Sequence, residues 1–204
     1  MKLLIALGAA LLAVPLALTA TGAAPVIATG ATPMLLAPTT YNIDGVHSSV
    51  VFKIQHMGLA SFYGRFNKIS GTVVLDQDQP AGSKVELTIA ADSVDSNNEG
   101  RNTHLKSPDF FNAKEFPEIK FVSKSAKKEG DKRWLLDGEM TLHGVTKKLS
   151  LAVELVGAKE TPKGKLAGFD TTFTFKRSDY GMTGMLDVLG DEITVMAGIE
   201  CKGQ

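Results

Sequence analysis

The chain has almost no cysteine and no net charge, and both shortages exclude whole classes of function. Cys201 is the single cysteine among 204 residues, so an intramolecular disulfide and a zinc site built on cysteine pairs are excluded. Lysine plus arginine number 22 and aspartate plus glutamate also number 22, so bulk charge draws the chain neither to nucleic acid nor to an anionic membrane. We therefore expect no nucleic-acid partner and a fold stabilised by apolar burial and hydrogen bonds.

Local signatures of catalysis are also missing. The histidines are His47, His56, His104 and His143. Their spacing matches no H-E-x-x-H motif, and no serine lies in a G-x-S-x-G elbow. A structural or hydrogen-bonding role is the simplest interpretation of these side chains. The sequence therefore predicts no catalytic residue, no metal and no cofactor, with a histidine-based metalloenzyme or hydrolase as the alternative.

The N-terminal part of the chain differs in composition from the rest. Lys2 precedes the apolar run Leu3 to Leu18, and small residues follow around Ala20 to Ala24. This order is typical of a secretory signal. The predicted divisions are a signal peptide at 1–23, a flexible leader at 24–40 and a barrel domain at 41–204. The expected location is therefore periplasmic or secreted after cleavage. An uncleaved membrane anchor is the alternative, although repeated prolines would break a spanning helix.

From Tyr41 onward, apolar and polar residues alternate with the two-residue period of half-buried strands. In one such segment Val85, Leu87 and Ile89 share a face. Turn residues separate the segments, and strands are predicted at 48–57, 67–77, 83–92, 117–126, 132–142, 147–157, 165–177 and 191–203. Eight antiparallel strands favour an all-β, up-and-down barrel. A β-sandwich satisfies the same pattern and stays the alternative fold.

Two irregular connections interrupt the alternation. The first, Ser93 to Phe116, is long enough to suggest a function. We expect Asp95 or Ser96 to cap a short helix through Arg101 to Lys106, and this helix to cover one barrel end. The second connection, at 178–190, is rich in glycine and methionine, which suits an adaptable apolar surface.

Six motifs in the chain resemble, in order, those of the YceI-like family of exported polyisoprenoid-binding proteins. They are IDGVHSSVVFKIQHMG at 43–58, GRFNKISG at 64–71, RNTHLKSPDFFNAKEFPEIKF at 101–121, LHGVTKKL at 142–149, RSDYGM at 177–182 and GDEITV at 190–195. The resemblance covers Tyr41 to about Cys201. Asn102 stands where the family pattern leads us to expect aspartate.

The resemblance implies a lipocalin-like barrel whose lumen accommodates a polyisoprenoid lipid, as a prenyl pyrophosphate or a prenylated quinone. The strand pattern agrees with this, since a barrel of eight strands either fills with side chains or keeps a slot for one ligand. A filled barrel acting as a structural or interaction module is therefore a second alternative. Transient membrane contact and a homodimer through the 178–190 connection are compatible with the sequence.

Candidate ligand contacts are apolar side chains on the strand faces and on the irregular connections. They are Phe52, Ile54, Phe66, Leu87, Ile89, Leu105, Phe110, Phe111, Phe121, Trp134, Met140, Leu142, Phe173, Phe175, Met182 and Ile193. Candidate headgroup contacts are Arg101 and Arg177, because the planar guanidinium suits phosphate or carbonyl oxygens, and His47 and His104, because they belong to the two strongest family motifs. For the two histidines the alternative is capping of the loop backbone. For the two arginines the alternative is an internal ion pair, for instance with Asp109 or Asp179.

Overall fold

The computed structural model describes residues 38–203. The predicted signal peptide and the predicted leader as far as residue 37 lie outside the described residues. The first strand begins at Thr39, before the domain start predicted at Tyr41. Within the described part of the chain, no helix combines the length and the apolar character needed to cross a bilayer.

Eleven strand segments and one α-helix make up the domain. In chain order they are β1 (Thr39–Ile43), β2 (Ser49–His56), β3 (Ala60–Phe66), β4 (Ile69–Leu75), β5 (Lys84–Ala90), β6 (Val94–Asp95), α1 (Glu99–Leu105), β7 (Glu118–Glu129), β8 (Arg133–Leu142), β9 (Val145–Thr161), β10 (Gly164–Lys176) and β11 (Leu189–Gly203). Short 3₁₀ turns cover Pro80–Gly82, Ala91–Ser93 and Arg177–Tyr180.

The eleven segments form eight long strands, because three of these strands are each interrupted once. Segment β1 pairs with β4 and β2 pairs with β3, while β4 pairs with β5 and β3 with β6. Each of the pairs β1/β2, β3/β4 and β5/β6 therefore acts as one strand. Both β1 and β2 pair with β11, which closes the ring. The predicted eight-stranded, antiparallel, up-and-down barrel is confirmed, and the sandwich alternative is wrong.

Segments β1, β3 and β6 were not among the predicted strands, and β3 shows a physical reason. Its inward positions are Phe62, Gly64 and Phe66, so a glycine interrupts the apolar face. A Cβ atom on Gly64 would lie 2.3 Å from the ring of Phe52, so the glycine makes room for this aromatic side chain. A glycine at an inward position therefore breaks the apolar–polar alternation from which a buried strand is predicted.

The predicted helical cap is confirmed as α1, although its N-cap is neither Asp95 nor Ser96. The Asn98 side chain caps the helix by accepting a hydrogen bond from the Arg101 amide. Asn102, buried in the helix, accepts hydrogen bonds from both the amide and the hydroxyl of Ser96. These bonds join α1 to the end of β6, so the position where aspartate was expected has a structural role.

Alternate connections of an up-and-down barrel meet at the same end. The helix end carries the connections at 57–59, 96–117, 143–144 and 177–188. The opposite end carries those at 76–83, 130–132 and 162–163. The inward side chains of all eight strands form one apolar interior between these ends.

Candidate functional site

Two cavities lie inside the barrel, one towards each end. The wide cavity has a volume of about 530 Å³ and lies at the helix end, where α1 and the 177–188 connection contribute to its wall. The narrow cavity has a volume of about 120 Å³ and lies towards the opposite end, against Trp134 and Phe169. Six side chains, which we call the belt, line both: Val50, Ile89, Ile119, Met140, Phe173 and Val195. The two cavities therefore meet at the belt and follow each other along the barrel.

Every apolar side chain predicted to contact a ligand lines one of these cavities. The wide cavity alone receives Phe52, Ile54, Phe66, Leu105, Phe110, Phe111, Leu142, Phe175, Met182 and Ile193. The narrow cavity alone receives Leu87, Phe121 and Trp134, and the belt includes Ile89, Met140 and Phe173. The structure therefore brings these side chains together, while their contact with a ligand stays a prediction.

Several lining residues were not predicted from the alternation of apolar and polar residues. At the helix end they include His56, Phe62, Met185, Val188 and Leu189. In the belt they include Val50, Ile119 and Val195. The strand alternation was a sufficient signal for the belt residues, since Val195 shares its face with Ile193. No local signal marks the residues at the helix end, because their position depends on how the connections fold over the barrel.

Aromatic side chains attach the connection before β7 to the barrel wall. The Phe111 ring lies 5.3 Å from the Phe66 ring and 6.3 Å from the Phe52 ring, in edge-on contacts. Phe110 is buried and packs edge-on against His104, with 4.9 Å between ring centroids. Phe116 packs instead against His143 and lines neither cavity. The phenylalanine pair therefore covers the helix end of the wide cavity.

Arg101 and His104 lie at the rim of the wide cavity, where both side chains are exposed. The Arg101 guanidinium lies 4.4 Å above the Phe62 ring and donates to the hydroxyl and the carbonyl oxygen of Ser96. His104 Nε2 lies 3.0 Å from a carboxylate oxygen of Asp109. Both predicted headgroup contacts are thus placed where a polar group would emerge from the cavity.

Arg177 lines the wide cavity but is almost wholly engaged with the backbone. It is 2% exposed, and burial lowers the pKa of its guanidinium below the ordinary value. Four of its five N–H groups donate to the carbonyl oxygens of Gly190, Met182, Gly184 and Leu189. The ion pair expected with Asp109 or Asp179 is replaced by these bonds, which hold the 177–188 connection in place. Contact of Arg177 with a headgroup stays a prediction.

The structure separates His47 from both cavities. This side chain is 58% exposed on the turn between β1 and β2, and its Nδ1 lies 2.7 Å from Oδ2 of Asp44. The Lys202 ammonium lies 2.6 Å from the same oxygen, and the amide of Val46 donates to Oδ1. The sequence placed His47 among headgroup contacts because of its motif, whereas its observed contacts stabilise a turn on the outer wall.

Asp44, His47 and Glu200 form a group of potential metal ligands, with all ligand atoms within 4.8 Å of one another. The donor set does not suit a cation, because the Lys202 ammonium already lies on the carboxylate of Asp44. A positive charge at 2.6 Å from a ligand oxygen would repel a metal ion there. The arrangement favours an ion-paired turn.

Asp44 should make the stability of the barrel depend on acid pH. Hydrogen bonds from Lys202 and His47 hold the pKa of Asp44 well below its ordinary value. A carboxyl group of this kind stabilises the fold fully above its unfolded pKa of about 3.9, and that stabilisation is lost as the pH falls towards the lowered value. Urea unfolding between pH 2 and about 6 should therefore show that acid lowers the free energy of unfolding less in Asp44→Asn than in the parent protein.

Asp131→Asn is the matched control, because Asp131 is an exposed acid in the turn between β7 and β8. An equal pH profile for the parent and Asp44→Asn would contradict the role assigned to this carboxyl group. The pKa values of Asp95 and Asp191 are also lowered by backbone hydrogen bonds. These two groups contribute to the remaining dependence of the free energy of unfolding on pH in both proteins.

Comparison with known proteins gives consistent matches over the barrel. The model of the YceI-like domain matches residues 41–201. The protein YceI of Salmonella arizonae is 39% identical over 163 residues, which cover 78% of this chain and 85% of that protein. The crystal structure of Burkholderia cenocepacia BcnA superposes with a TM-score of 0.70 at 23% identity, covering 78% of this chain and 98% of BcnA. A polyisoprenoid binding domain from Saccharophagus degradans superposes with a TM-score of 0.64 at 16% identity, covering 80% and 98% of the two chains.

Proposed function

The chain belongs to the YceI-like family, and on that basis we propose that it binds a long isoprenoid lipid inside the barrel. The observation that carries this proposal is the pair of apolar cavities that meet at the belt. The ligand class is supported by the Saccharophagus degradans domain, which is described as polyisoprenoid-binding. Within that class we include polyisoprenoids, prenyl pyrophosphates and prenylated quinones.

Apolar burial alone provides enough free energy for such binding. Each methylene-sized group moved from water into an apolar cavity contributes roughly 0.8 kcal/mol. An isoprenoid chain that occupies both cavities would therefore bind tightly even after the cost of association is subtracted. Polar contacts at the rim, from Arg101 or His104, would orient the headgroup and select among ligands.

We propose that the bound lipid is carried or stored without being chemically changed. The side chains along the two cavities are mainly aliphatic or aromatic. The polar ones are few, and they are His56, Arg101, His104 and Arg177 at the wide cavity and Ser83, Lys120, Asp170 and Thr171 at the narrow one. Of the histidines, His104 contacts Asp109 and His143 contacts the carbonyl oxygen of Tyr180. Neither contact is the nucleophile and base pair that hydrolysis requires. A periplasmic or secreted carrier fits these contacts and the N-terminal signal expected from the sequence.

Exposed apolar side chains surround the helix end, and they support transient contact with a membrane. Leu59 is 81% exposed and Met57 is 59% exposed in the connection between β2 and β3. Met185 and Leu186 are exposed in the 177–188 connection. Such a rim would bring the opening of the wide cavity to the lipid phase. A homodimer would cover the same side chains of the 177–188 connection.

Extraction of the purified protein tests the proposal directly. Protein exported with its native N-terminus should release an isoprenoid lipid into organic solvent in about one-to-one ratio, because one barrel holds one chain. Mass spectrometry of the extract identifies the lipid and its chain length. An equal volume of the final wash serves as the control. An extract that contains only the host's bulk phospholipids, or no lipid, would contradict the proposal.

A further inference from the structure

Strands β9 and β10 pair along only part of their length. Pairing runs from Gly164 opposite Thr161 to Thr171 opposite Val153. Within residues 38–203, no backbone pairing joins 145–152 of β9 to 172–176 of β10, although both stretches pair with their other neighbours. The barrel wall therefore has a lateral gap on the side of the helix end, which we call the window.

Two hydrogen bonds frame the window. Towards the opposite end of the barrel, the hydroxyl of Thr171 donates to the carbonyl oxygen of Ala152 over 2.8 Å. Towards the helix end, Nδ1 of His143 lies 3.1 Å from the carbonyl oxygen of Tyr180. The window is thus a bounded opening in the wall and is separate from the rim of the wide cavity.

The window leads to the apolar interior. Leu149 and Leu151 on its β9 side line the narrow cavity, and Phe175 on its β10 side lines the wide one. Outside the wall, a surface cleft of about 210 Å³ shares Val153, Asp170 and Thr171 with the narrow cavity. The interior and the outer surface therefore approach each other where the pairing of the two strands stops.

Lys147 occupies an interior position on the edge of this window. It lies directly opposite Met140 in the β8–β9 pairing, so the two side chains project from the same face of the sheet. Met140 is 5% exposed and belongs to the belt, whereas Lys147 is exposed. No ion pair to Lys147 is formed within the described residues. The Lys147 side chain therefore starts on the inner face of the sheet, lines neither cavity and extends to solvent beside the window.

Within the two unpaired stretches the charges are positive, and the acids Glu154 and Asp170 lie beyond them, where the strands still pair. The two unpaired stretches contain Lys147, Lys148 and Lys176 and no acidic residue. Lys148 and Lys176 each have an acidic residue opposite them, Glu139 and Glu192 respectively. Lys147 has Met140 opposite it, so its charge has no such neighbour. Charge complementarity therefore favours an anionic group at Lys147.

We propose that Lys147 binds the anionic headgroup of a ligand whose chain lies in the barrel, with the headgroup in the window between β9 and β10. The inference rests on the proposed function and adds the position of the headgroup, for ligands that carry a phosphate, and the residue that binds it. Lysine suits this role because its ammonium group is a compact point charge that donates to phosphate oxygens. The window places that headgroup on the side wall, away from Arg101 and His104 at the rim.

The test compares two ligands with the same chain on delipidated protein. Geranylgeranyl pyrophosphate carries the anionic headgroup, and geranylgeraniol carries a neutral one. Lys147→Gln removes the charge and keeps most of the length of the side chain. It should weaken binding of the pyrophosphate about tenfold, as loss of a charge-assisted hydrogen bond does, and leave binding of the alcohol within about twofold. Lys148→Gln, next along β9 and on the outer face, should change neither affinity by more than about twofold.

Each other outcome identifies what is wrong. If the parent binds both ligands and Lys147→Gln leaves the pyrophosphate affinity unchanged, the headgroup does not lie at Lys147. An equal loss in Lys147→Gln and Lys148→Gln would mean that only the general positive field matters, which also overturns the inference. If the parent binds neither ligand, the lipid-binding function itself is wrong. Thermal unfolding of all three proteins shows that the variants are folded.

Discussion

Replacing Arg177 with alanine is expected to lower the free energy of unfolding by roughly 3–5 kcal/mol, because several hydrogen bonds to a charged donor are lost together. The guanidinium donates to four carbonyl oxygens of the 177–190 region, and its removal leaves these buried or partly buried acceptors without that donor. In a domain of this size, such a loss lowers Tm by about 10 °C. Thermal and urea unfolding of Arg177→Ala would measure both values.

Arg101→Ala is the matched control, because Arg101 also donates to backbone and side-chain oxygens but is exposed. Its removal should cost less than about 1 kcal/mol. Arg177→Lys keeps the charge but not the planar fork, so it should fall between the two alanine variants. Equal losses in Arg177→Ala and Arg101→Ala would contradict the role of Arg177 as the residue that holds the connection.

Blocking the belt should shorten the ligand that the barrel accepts. Val195 is half-buried and lines both cavities, so a tryptophan at this position would fill the passage between them. We expect Val195→Trp to weaken binding of a long prenol, whose chain reaches the narrow cavity, by about a hundredfold, which corresponds to the burial of three or four methylene groups. Binding of farnesol, a chain short enough for the wide cavity, should change far less. Fluorescence competition with both alcohols on delipidated protein measures this difference.

Thr194→Trp provides the control for added bulk on the same strand. Thr194 is next to Val195 and projects from the other face of β11, so its replacement leaves the cavities open. Overpacking in Val195→Trp would cost about 1–3 kcal/mol of stability, which unfolding experiments separate from the binding effect. If Val195→Trp weakened binding of the long and the short alcohol equally, the ligand would not extend through the belt.

The fold could be predicted from the sequence because alternation reports on burial. Along β5, β8 and β11 the apolar faces are regular, and the structure places them all in the interior. The predicted number of eight strands is also correct, because one segment of each interrupted strand shows a clear alternation of apolar and polar residues. The errors were local. Strand β3 was not predicted because Gly64 interrupts its apolar face. The N-cap of α1 is Asn98, because the side chains of Asp95 and Ser96 make other hydrogen bonds.

The candidate site was only partly predictable, for a reason that concerns long-range contacts. Inward faces such as that of Trp134 and Met140 follow from the two-residue period, so cavity walls were found. The roles of charged residues do not follow from this period, because they depend on contacts with residues that are distant in the sequence. Arg177 donates to backbone carbonyl oxygens, and His47 contacts Asp44, which is also paired with Lys202. The inward position of Lys147 is known only from its pairing with Met140 in the sheet.

Closure of the ring by β11 against both β1 and β2 has a consequence for how the protein is made. The Ser48 hydroxyl and the Glu200 backbone, at opposite ends of the domain sequence, hydrogen-bond to each other, so the seam joins the first strand to the last. During synthesis the chain cannot complete this seam until β11 has emerged. Until then the edges of β2 and β10 are without their partner and the apolar interior is open to water. Closure of the barrel therefore follows synthesis of β11 and depends on non-local contacts, and a chain that lacks β11 would be a substrate for chaperones and proteases.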